Sequence, residues 1–418
     1  MSVGDIYYKR IKPGTFPSTW YWAGGGNGPS YAPDSFYAKA VSVAADRYTL
    51  LSPSAMQINI GTNSYVLSAQ ATLDLSVTGT WDTISGTNYT TAANRAGKDF
   101  YTYAVQPTSG IAPAFVVSAN ATTPSGYSGS TSRKVGGFHC LCASMSTPGT
   151  WASNHAYALG ATILSGSYWY RCAIAGTSTN GSMPTLTTTV NGTTVDSGVT
   201  WMCENIHPAS GYVAGDIIPN SVWDLKHYSI SGNAGMAYIS LTDEWHDIYI
   251  ASGGLGTTAS VYQATPMYNT TWNETVDNAA SVKKYLLRDY NSQVSAEGSN
   301  QQTNVSTSTQ IPPGGNSDTA GRRMISNYFL EDCAGLYWLW LDEQSFQPGT
   351  GAAGWKTTVT ENKGQLYLIA DNADVKLFAG GSWYSGAYCG SRARFATDCR
   401  WRVYSYFAAR LAARAIHK

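Results

Sequence analysis

The sequence predicts a mainly β protein whose C-terminal part adds helix to the strands. Between residues 36 and 146, short runs of β-branched and aromatic residues alternate with turn residues, as in a β-sandwich or barrel. Helical spacing of apolar residues is clear at 272–297. Aromatic residues make up 13% of the chain and charged residues only 12%, against about 25% in typical domains. This composition excludes a disordered chain, which would combine few aromatic residues with a high net charge.

Length and hydropathy exclude further classes of protein. The 418 residues predict about three domains. No apolar run reaches the roughly 18 residues that a membrane span requires. The first residues, MSVGDIYYKRIKPG, lack the apolar core of a secretory signal. Tyr (29) and Trp (14) dominate the aromatic residues, and the formal net charge is zero. Because Tyr and Trp offer contact area at a low entropic cost, such a surface favours adhesion over catalysis.

The chain divides into four predicted parts. The N-terminal segment is rich in Gly, Pro and aromatic residues and predicts an extended arm. The β domain that follows is interrupted by a stretch with only three charged residues, which predicts a small β module inserted at a loop. The predicted boundaries are 1–35 for the arm, 36–146 and 211–265 for the β domain, 147–210 for the inserted module and 266–418 for the C-terminal domain. Strands of the β domain are predicted at YTLLS, MQINIG, YVLSA, TLDLSV, FYTYAVQ and AFVVSA.

The predicted helix at 272–297 belongs to the C-terminal part. Thr271 or Asn273 can cap it. Its apolar face is predicted to contain Val276, Ala280, Leu287 and Tyr290. The run Leu336–Leu341 is apolar on both alternating faces, which predicts a fully buried strand or core segment. Shorter strands are predicted at 365–369 and 374–379.

A last strand is predicted at Cys399–Phe407. Alternation puts Trp401, Val403 and Phe407 on one face, which we expect to be core. Arg400, Arg402, Tyr404 and Tyr406 then form the opposite face, which we expect to be an outward contact surface.

No catalytic or nucleotide-binding motif is present in the sequence. It contains no P-loop, no G-x-S-x-G and no H-E-x-x-H. The six histidines are scattered, which predicts no metal site. The acidic pairs Asp243-Glu244 and Asp342-Glu343 are neighbours that point to opposite faces of a strand, so neither pair supplies two carboxylates across a glycosidic bond.

The C-terminal end is basic, with a net charge of +7 from Lys376 to Lys418, where Asp398 is the one acid. Basic residues interleaved with Tyr and Phe also occur in nucleic-acid-binding proteins. An anionic surface polysaccharide, or carboxylates of a neighbouring subunit, fits this charge better, because arginine donates bidentate hydrogen bonds to such anions. We therefore predict no nucleic-acid partner.

The seven cysteines are an odd number and cannot all pair within one chain. Two alternatives remain at this point. The thiols are reduced and mostly buried, or disulfides join Cys172 to Cys203 and Cys389 to Cys399.

The inserted module carries an ordered series of aromatic and turn residues. The series is Trp151, Tyr157, Gly160, Gly166, Tyr168-Trp169-Tyr170, Gly176-Thr177-Ser178, Pro184, Asp196 and Trp201. It resembles the chitinase-type carbohydrate-binding modules that phage tail proteins often carry, although that family usually has Asp-Gly where this chain has Asp196-Ser197-Gly198. The resemblance implies carbohydrate contacts at Trp151, Tyr168, Trp169 and Trp201, since apolar sugar faces stack on aromatic rings. Alternatively, Trp151, Tyr170 and Trp201 are the core of a very small domain, and Tyr168 or Trp169 is exposed.

The C-terminal third contains three segments that carry a second resemblance. They are GRRMISNYFLEDCAGLYWLWLDE, AGGSWYSGAYCGSRARF and DCRWRVYSYFAAR. They resemble the variable receptor-binding proteins of diversity-generating retroelements, in particular the phage major tropism determinants. Arg133–His139 and Ser221–Leu225 also look like the preceding β domain of those proteins. The resemblance implies a C-type-lectin-like C-terminal domain, a fold also found in formylglycine-generating enzymes.

In that family, the last part of the chain mixes structural positions with variable contact positions. The structural positions here would be Gly380, Gly381, Trp383, Gly390, Ser391, Arg392, Trp401 and Arg410. The receptor-binding positions would be Tyr384, Ser385, Tyr388, Phe395, Thr397, Asp398, Tyr404, Tyr406 and Phe407, with Arg394, Arg400 and Arg402 added from the basic end. Alternation places Phe407 in the core instead. The family usually ends this region with Gly-Ala-Arg-Gly, whereas residues 408–411 here are Ala-Ala-Arg-Leu, which questions continued diversification but not the fold.

The resemblance implies a phage tail-fibre or tail-tip protein that attaches the virion to a bacterial surface receptor, either a polysaccharide or a pilus. It would be made in the host cytoplasm, assemble as a homotrimer and join other phage tail proteins. Two alternatives are an enzyme, either a polysaccharide depolymerase or a formylglycine-type oxidase, and a structural baseplate or collar protein. We expect no enzymatic activity and no cofactor. Bound Ca²⁺ is compatible with a lectin-like fold, although no D-x-D-x-D-G loop is present.

Overall fold

The computed structural model describes residues 37–38, 47–52, 56–82, 87–110, 112–307, 309–345, 354–356, 364–368 and 375–418. The predicted arm at 1–35 lies outside these residues. Within them, the protein is built mainly of β-sheets, as predicted. No helix in the described ranges is both long and apolar enough to cross a membrane.

The N-terminal strands follow the predicted positions. They are β1 (Tyr37–Ala38), β2 (Thr49–Leu51), β3 (Met56–Ile60), β4 (Asn63–Leu67), β5 (Thr72–Asp74), β6 (Asp99–Val105), β7 (Ala114–Ser118) and β8 (Ser132–His139), with a short helix α1 (Ala92–Arg95) before β6. Strand β6 lies between β7 and β8, and its Phe100 packs on Phe138 in a core shared with Leu75 and Val117. Strand β15 (Trp223–Asp224) pairs with β8, which joins the two segments on either side of the module.

The inserted region forms its own small sheet. Its strands are β9 (Ala156–Tyr157), β10 (Thr162–Ser165), β11 (Tyr168–Ile174), β12 (Gly176–Thr177), β13 (Thr193–Asp196) and β14 (Val199–Asn205). Strands β10, β11, β14 and β13 pair in that order. Tyr170, Cys172 and Trp201 fill the core on one face.

Strands β16 to β20 and two helices precede the C-terminal sheet. The elements are β16 (His227–Ser229), β17 (Met236–Ile239), β18 (Glu244–Asp247), β19 (Ala251–Ser252), β20 (Ala259–Ser260), α2 (Trp272–Ser281), β21 (Tyr285–Leu286) and α3 (Asp289–Ser295). The C-terminal strands are β22 (Trp338–Ser345), β23 (Gly354–Lys356), β24 (Leu366–Leu368), β25 (Val375–Gly380), β26 (Gly390–Ala396), β27 (Phe407–Ala408) and β28 (Leu411–His417). Residues Leu336–Leu341 are all buried, as predicted.

In the described residues, the C-terminal domain contains two large sheets besides the short β19–β20 pair. One has the order β23-β24-β26-β25-β22-β27. In the other, β28 is inserted between β16 and β18 and also pairs with β21. Residues 227–247 therefore share a sheet with the last strand of the chain. We propose that the C-terminal domain begins before β16 and not at 266.

The predicted continuous helix at 272–297 is wrong, because the chain forms two helices there. Helix α2 begins at the predicted cap: Glu274 donates its backbone N–H to Thr271 Oγ1, and Thr271 N–H returns a bond to the Glu274 carboxylate. Helix α2 ends at Ser281, and Lys283 has a left-handed φ of 61°. The next residues form β21, so pairing with β28 overrides the helical spacing of the sequence.

The predicted strand at Cys399–Phe407 is also wrong. Residues 400–406 form two turns joined by irregular backbone, and of the predicted strand only Phe407 enters a strand. The backbone carbonyls of Arg400 and Tyr404 accept bonds from the N–H groups of Trp272 and Asn269, so this segment is tied to the chain before and at the start of α2. As a consequence Trp401 is 60% exposed, and Val403 is also exposed. The buried position predicted for Phe407 is correct.

All seven cysteines lie within the described residues, and each is a buried free thiol. Disulfides between Cys172 and Cys203 and between Cys389 and Cys399 are therefore not formed. The alternative of reduced, buried thiols is the one that the structure supports.

Candidate functional site

A surface with several exposed aromatic residues lies between β25 and β27. Strand β25 ends at Gly380, and both Gly380 and Gly381 have a positive φ, of 93° and 92°. A Cβ atom on Gly381 would lie 2.7 Å from the Sγ atom of Cys389, so this turn requires glycine. The turn leads into a 3₁₀ segment, Gly386–Tyr388. Tyr384, before this segment, is 57% exposed, and Tyr388, at its end, is 40% exposed.

Two further tyrosines from the segment before β27 complete this surface. Tyr404 and Tyr406 are half-buried and stack at 4.9 Å with an interplanar angle of 12°. Tyr384 meets Tyr406 edge to face at 5.0 Å. We call Tyr384, Tyr388, Tyr404 and Tyr406 the tyrosine platform. Sequence reasoning placed all four at contact positions, and Tyr384, Tyr404 and Tyr406 lie together in the structure.

The phenols of Tyr384 and Tyr406 remain protonated at neutral pH. Burial raises the pKa of Tyr406, and its hydrogen bond to Tyr384 raises this pKa further. Burial also raises the pKa of Tyr384. At neutral pH these groups therefore present ring faces and neutral hydroxyls, which can donate and accept hydrogen bonds.

Trp355, which the sequence analysis did not single out, supports the other side of the platform. It lies in β23, and its indole stacks on the ring of Tyr388 at 4.4 Å. Trp355 also contacts Tyr367, which in turn stacks on Phe395 at 5.9 Å. Trp355 directly follows the Gly-rich stretch at 346–354. A large aromatic residue at the end of a Gly-rich stretch is the sequence feature that could have identified it.

Basic residues lie next to the platform. The side chain of Arg402 is 59% exposed, and its Nε atom lies 3.8 Å from Asp398. Burial raises the pKa of Asp398, and Arg402 opposes this shift. Lys376 places its ammonium 3.7 Å from the ring centre of Trp272, and Arg400 lies over the same ring at 5.8 Å. Arg402 is thus the exposed cation of the predicted contact set.

Burial removes three predicted contact residues from this surface. Ser385, Arg394 and Thr397 are all buried. Arg394 forms an ion pair with Asp289 of α3, so its guanidinium is paired within the protein and does not face a receptor. Phe395 is half-buried among aromatic rings, and Phe407 is fully buried. Phe407 packs against the rings of Tyr404 and Tyr406, so it supports the platform from the core side.

Two predicted structural positions behave differently from each other. Arg410 is fully buried and donates to the backbone carbonyls of Asp247 and Ile248 at 2.5 and 2.6 Å, and also to that of Glu331. This supports the structural role. Trp401 is exposed beside Arg402, so its predicted place in the structural set is wrong.

The four aromatic residues predicted to bind carbohydrate in the module have different environments. Asp196 accepts hydrogen bonds from the indole N–H groups of Trp151 and Trp201, at 2.8 and 3.0 Å. Burial would raise the pKa of Asp196, but these bonds lower it overall. Trp201 is fully buried and offers no ring face to a sugar, while Trp151 is half-buried. The core alternative is therefore the better description of Trp201.

Trp169 is also unavailable to a sugar, because it lies where the module meets the rest of the protein. Its indole contacts the imidazole of His207 at 5.8 Å, and it is buried. Tyr168, its neighbour, is half-buried in the module. Tyr168 is thus the predicted carbohydrate residue that remains best placed.

A buried ionic cluster fixes the module to the C-terminal domain. Glu204 accepts hydrogen bonds from Arg171 at 2.5 Å and from Arg322 at 2.8 Å. Arg171 also donates to Gln302 at 2.6 Å. Burial alone would raise the pKa of Glu204, but the two guanidinium groups lower it to about 2. This carboxylate remains charged at neutral pH and links the module to the segment 302–322.

Comparisons with known proteins agree with this architecture. Residues 54–170 match the family model described as the Mtd second domain. The solved structures of the Major Tropism Determinant U1, M1 and P3c variants match with TM-scores of 0.57, 0.55 and 0.55. The chain has the fold of the major tropism determinants. Each match has 17% identity and covers 84% of the other chain, and the shares of this chain covered are 91%, 92% and 92%.

The tropism-determinant fold extends over both the β domain and the C-terminal domain. The family match runs past 146 into β11, across the predicted start of the module. No curated protein matches the chain significantly. In the described parts of the chain, no group of three or more His, Cys, Asp and Glu side chains could hold a metal ion.

Proposed function

We propose that this chain is a phage-tail receptor-binding protein that attaches the virion to a bacterial surface through the tyrosine platform. The observation that carries the proposal is the clustering of exposed Tyr384 with Tyr404 and Tyr406 at the predicted contact positions. The tropism-determinant fold supports it, since the matched structures are named for tropism. Clusters of exposed aromatic side chains are rare on the surface of monomeric proteins, and where they occur they usually belong to a binding site.

The chemistry of the platform favours a polysaccharide or a pilus as receptor. The phenols provide ring faces for apolar contact and hydroxyls for hydrogen bonds. Exposed Arg402 adds a cation that favours an anionic ligand. We propose presentation as a homotrimer alongside other tail proteins, because several weak sites on one particle bind far more tightly than one.

Cell binding by purified, labelled protein tests the proposal. The double variant Tyr384→Ser/Tyr388→Ser removes the two most exposed phenols of the platform and leaves half-buried Tyr404 and Tyr406 in place. We expect at least about a tenfold loss of affinity for host cells, with an unchanged unfolding transition. Tyr127→Ser, at an exposed tyrosine of the β domain, is the matched control and should bind like the wild type. Unchanged binding by the double variant would overturn the assignment of the platform.

The enzyme alternative has less support. A formylglycine-type oxidase needs a reactive thiolate. Burial raises the pKa of Cys142, Cys333 and Cys389, which disfavours the thiolate at these positions. Incubation of the protein with host polysaccharide should release no shorter chains. A purely structural baseplate or collar protein would fail to bind cells in the assay above.

A further inference from the structure

A buried lysine–aspartate pair spans the last strand of the chain. Lys284, directly before β21, donates from its ammonium Nζ atom to Oδ1 of Asp247 on β18, at 2.6 Å. Strands β18 and β21 both pair with Ala412 of β28, from opposite sides. The pair therefore connects two strands that are not neighbours, across the strand that lies between them.

The register of the sheet brings these two side chains to the same face. Ala412 pairs with the residue before Asp247 and with the residue after Lys284. Because side chains alternate along a strand, Asp247 and Lys284 both point to the face opposite to the Ala412 side chain, which agrees with their contact. On that face β28 presents Leu411 and Ala413, which are fully buried. The pair thus meets on an apolar, buried face of the sheet.

The pair is almost completely shielded from water. The side chains of Lys284 and Asp247 are 6% and 0% exposed, and the second carboxylate oxygen of Asp247, Oδ2, has no hydrogen-bond partner among the described residues. Burial raises the pKa of Asp247, although Lys284 and Arg410 oppose this shift. Transfer of one proton along the hydrogen bond removes both charges, and burial favours that neutral form. The uncharged amine of a lysine is a nucleophile.

Arg410 places a fixed positive charge next to the same carboxyl group. Its guanidinium donates to the backbone carbonyl of Asp247 at 2.5 Å, and its charge acts on the Asp247 carboxyl group. The Nε atom of Arg410 has no hydrogen-bond partner in the part of the chain that the structure describes. In a site without water, such a charge stabilises the negative charge that develops on a carboxyl oxygen during attack by a nucleophile.

We propose that Lys284 and Asp247 join in an intramolecular amide bond once the domain has folded. The lone pair of Lys284 Nζ forms a bond to Cγ of Asp247, the bond between Cγ and the protonated carboxyl oxygen breaks, and that hydroxyl group leaves with one amine proton as water. The step is a condensation, so it needs no oxidant and no cofactor. The fold holds both groups in contact, which replaces an encounter in solution. The product is an uncharged amide, which removes both buried charges.

The bond would constrain the C-terminal domain as a disulfide does. It closes the chain between residues 247 and 284 and holds β18 and β21 on either side of β28. A cross-link of this kind lowers the conformational entropy of the unfolded chain. All seven cysteines are free thiols, so disulfides do not supply such a constraint here. The proposal depends on the fold alone, and its test does not involve receptor binding.

The intact mass of the full chain tests the bond. After overnight incubation of the native protein, we expect the wild type to be lighter than its sequence by the mass of one water. Lys284→Arg keeps a cation opposite Asp247, but a guanidinium stays protonated and does not attack the carboxyl group, so this variant should have its full mass. Lys283→Met, at an exposed neighbouring lysine, is the matched control and should lose water like the wild type.

A tryptic digest of the wild type locates the bond. Trypsin cleaves after a lysine only when the side-chain amine is free, so Asp247 and Lys284 should be recovered in one branched peptide. The wild-type mass and digest decide the question even if Lys284→Arg does not fold. A wild type that has lost no water, an equal loss of water from Lys284→Arg, or separate peptides for the two residues would each overturn the proposal.

Discussion

The indole of Trp355 lies almost parallel to the ring of Tyr388, with an interplanar angle of 7° and ring centroids 4.4 Å apart. The stack connects the platform to β23, which lies more than thirty residues earlier in the chain. A ring held in this way loses little conformational freedom when a receptor binds, which improves affinity. The rigidity of the platform therefore depends on residues outside the C-terminal segment that carries the contacts.

Replacement of Trp355 should weaken receptor binding through Tyr388. An aromatic pair contributes about 0.5–1.5 kcal/mol beyond its buried area, so Trp355→Leu should lower affinity for host cells by up to about tenfold. Cell-binding titrations measure this, with Tyr127→Leu as the aromatic-to-leucine control in the β domain. Equal affinities of Trp355→Leu and the wild type would mean that the stack does not position Tyr388.

Binding to an anionic receptor should weaken as salt rises, and Arg402 should account for part of that dependence. Arg402 is exposed and only loosely paired with Asp398 at 3.8 Å, so mobile ions screen it effectively. Affinity for cells should fall from about 50 mM to about 500 mM NaCl, and less steeply for Arg402→Gln. Arg414→Gln, which changes an exposed arginine on β28, should keep the wild-type slope. If the wild type, Arg402→Gln and Arg414→Gln lose affinity equally steeply as NaCl rises, Arg402 does not contact the receptor.

The module junction should lose stability in mild acid because of His207. Burial and then Arg322 lower the pKa of His207 to about 4, from about 6.5 in an unfolded chain. The unfolded state therefore binds a proton first, and stability is lost as pH falls from about 6.5 towards 4. Between pH 7 and pH 4.5 the contribution of His207 to the loss should be roughly 2 kcal/mol. Urea unfolding at both pH values measures it.

The variant His207→Phe should be less stable than the wild type at pH 7, because Ala209 N–H loses its bond to His207 Nδ1. Its further loss at pH 4.5 should nevertheless be smaller. His155→Phe, at an exposed histidine of the same module, should keep the wild-type pH dependence. If His207→Phe and the wild type lose equal stability, another group controls the acid response.

Arg410 should be essential for the packing of the C-terminal domain. Its guanidinium donates to the carbonyls of Asp247, Ile248 and Glu331, and Arg410→Met would remove all three bonds. The Ile248 carbonyl would keep its bond from the Glu331 N–H. At about 1–3 kcal/mol for each of the other two carbonyls, we expect a loss of at least roughly 2 kcal/mol in the free energy of unfolding. Chemical denaturation compares it with Arg414→Met, which removes an exposed arginine of the same region and should change stability by less than about 0.5 kcal/mol. A small effect of Arg410→Met would contradict the structural role.

Local patterns were sufficient to predict much of the fold. Strands β2 to β7 and the buried run Leu336–Leu341 follow from alternation and β-branched composition, which depend only on neighbouring residues. The cap at Thr271 also follows from local hydrogen bonding. The resemblance supplied contact roles for Tyr384, Tyr404 and Tyr406. Alternation also put Tyr404 and Tyr406 on the contact face, although the strand that it assumed does not form.

The sequence by itself therefore determined the β class, the presence of a charge-poor module and the tyrosines of the platform. Tertiary structure decided which of the predicted residues are accessible. Trp169 is buried because its indole packs on His207, whose ring in turn lies against the Ile325 carbonyl. Trp401 is exposed because the first N–H of α2 holds the Arg400 carbonyl in a turn. Exposure depends on contacts between residues far apart in the chain, whereas periodicity reports only which side chains share a face.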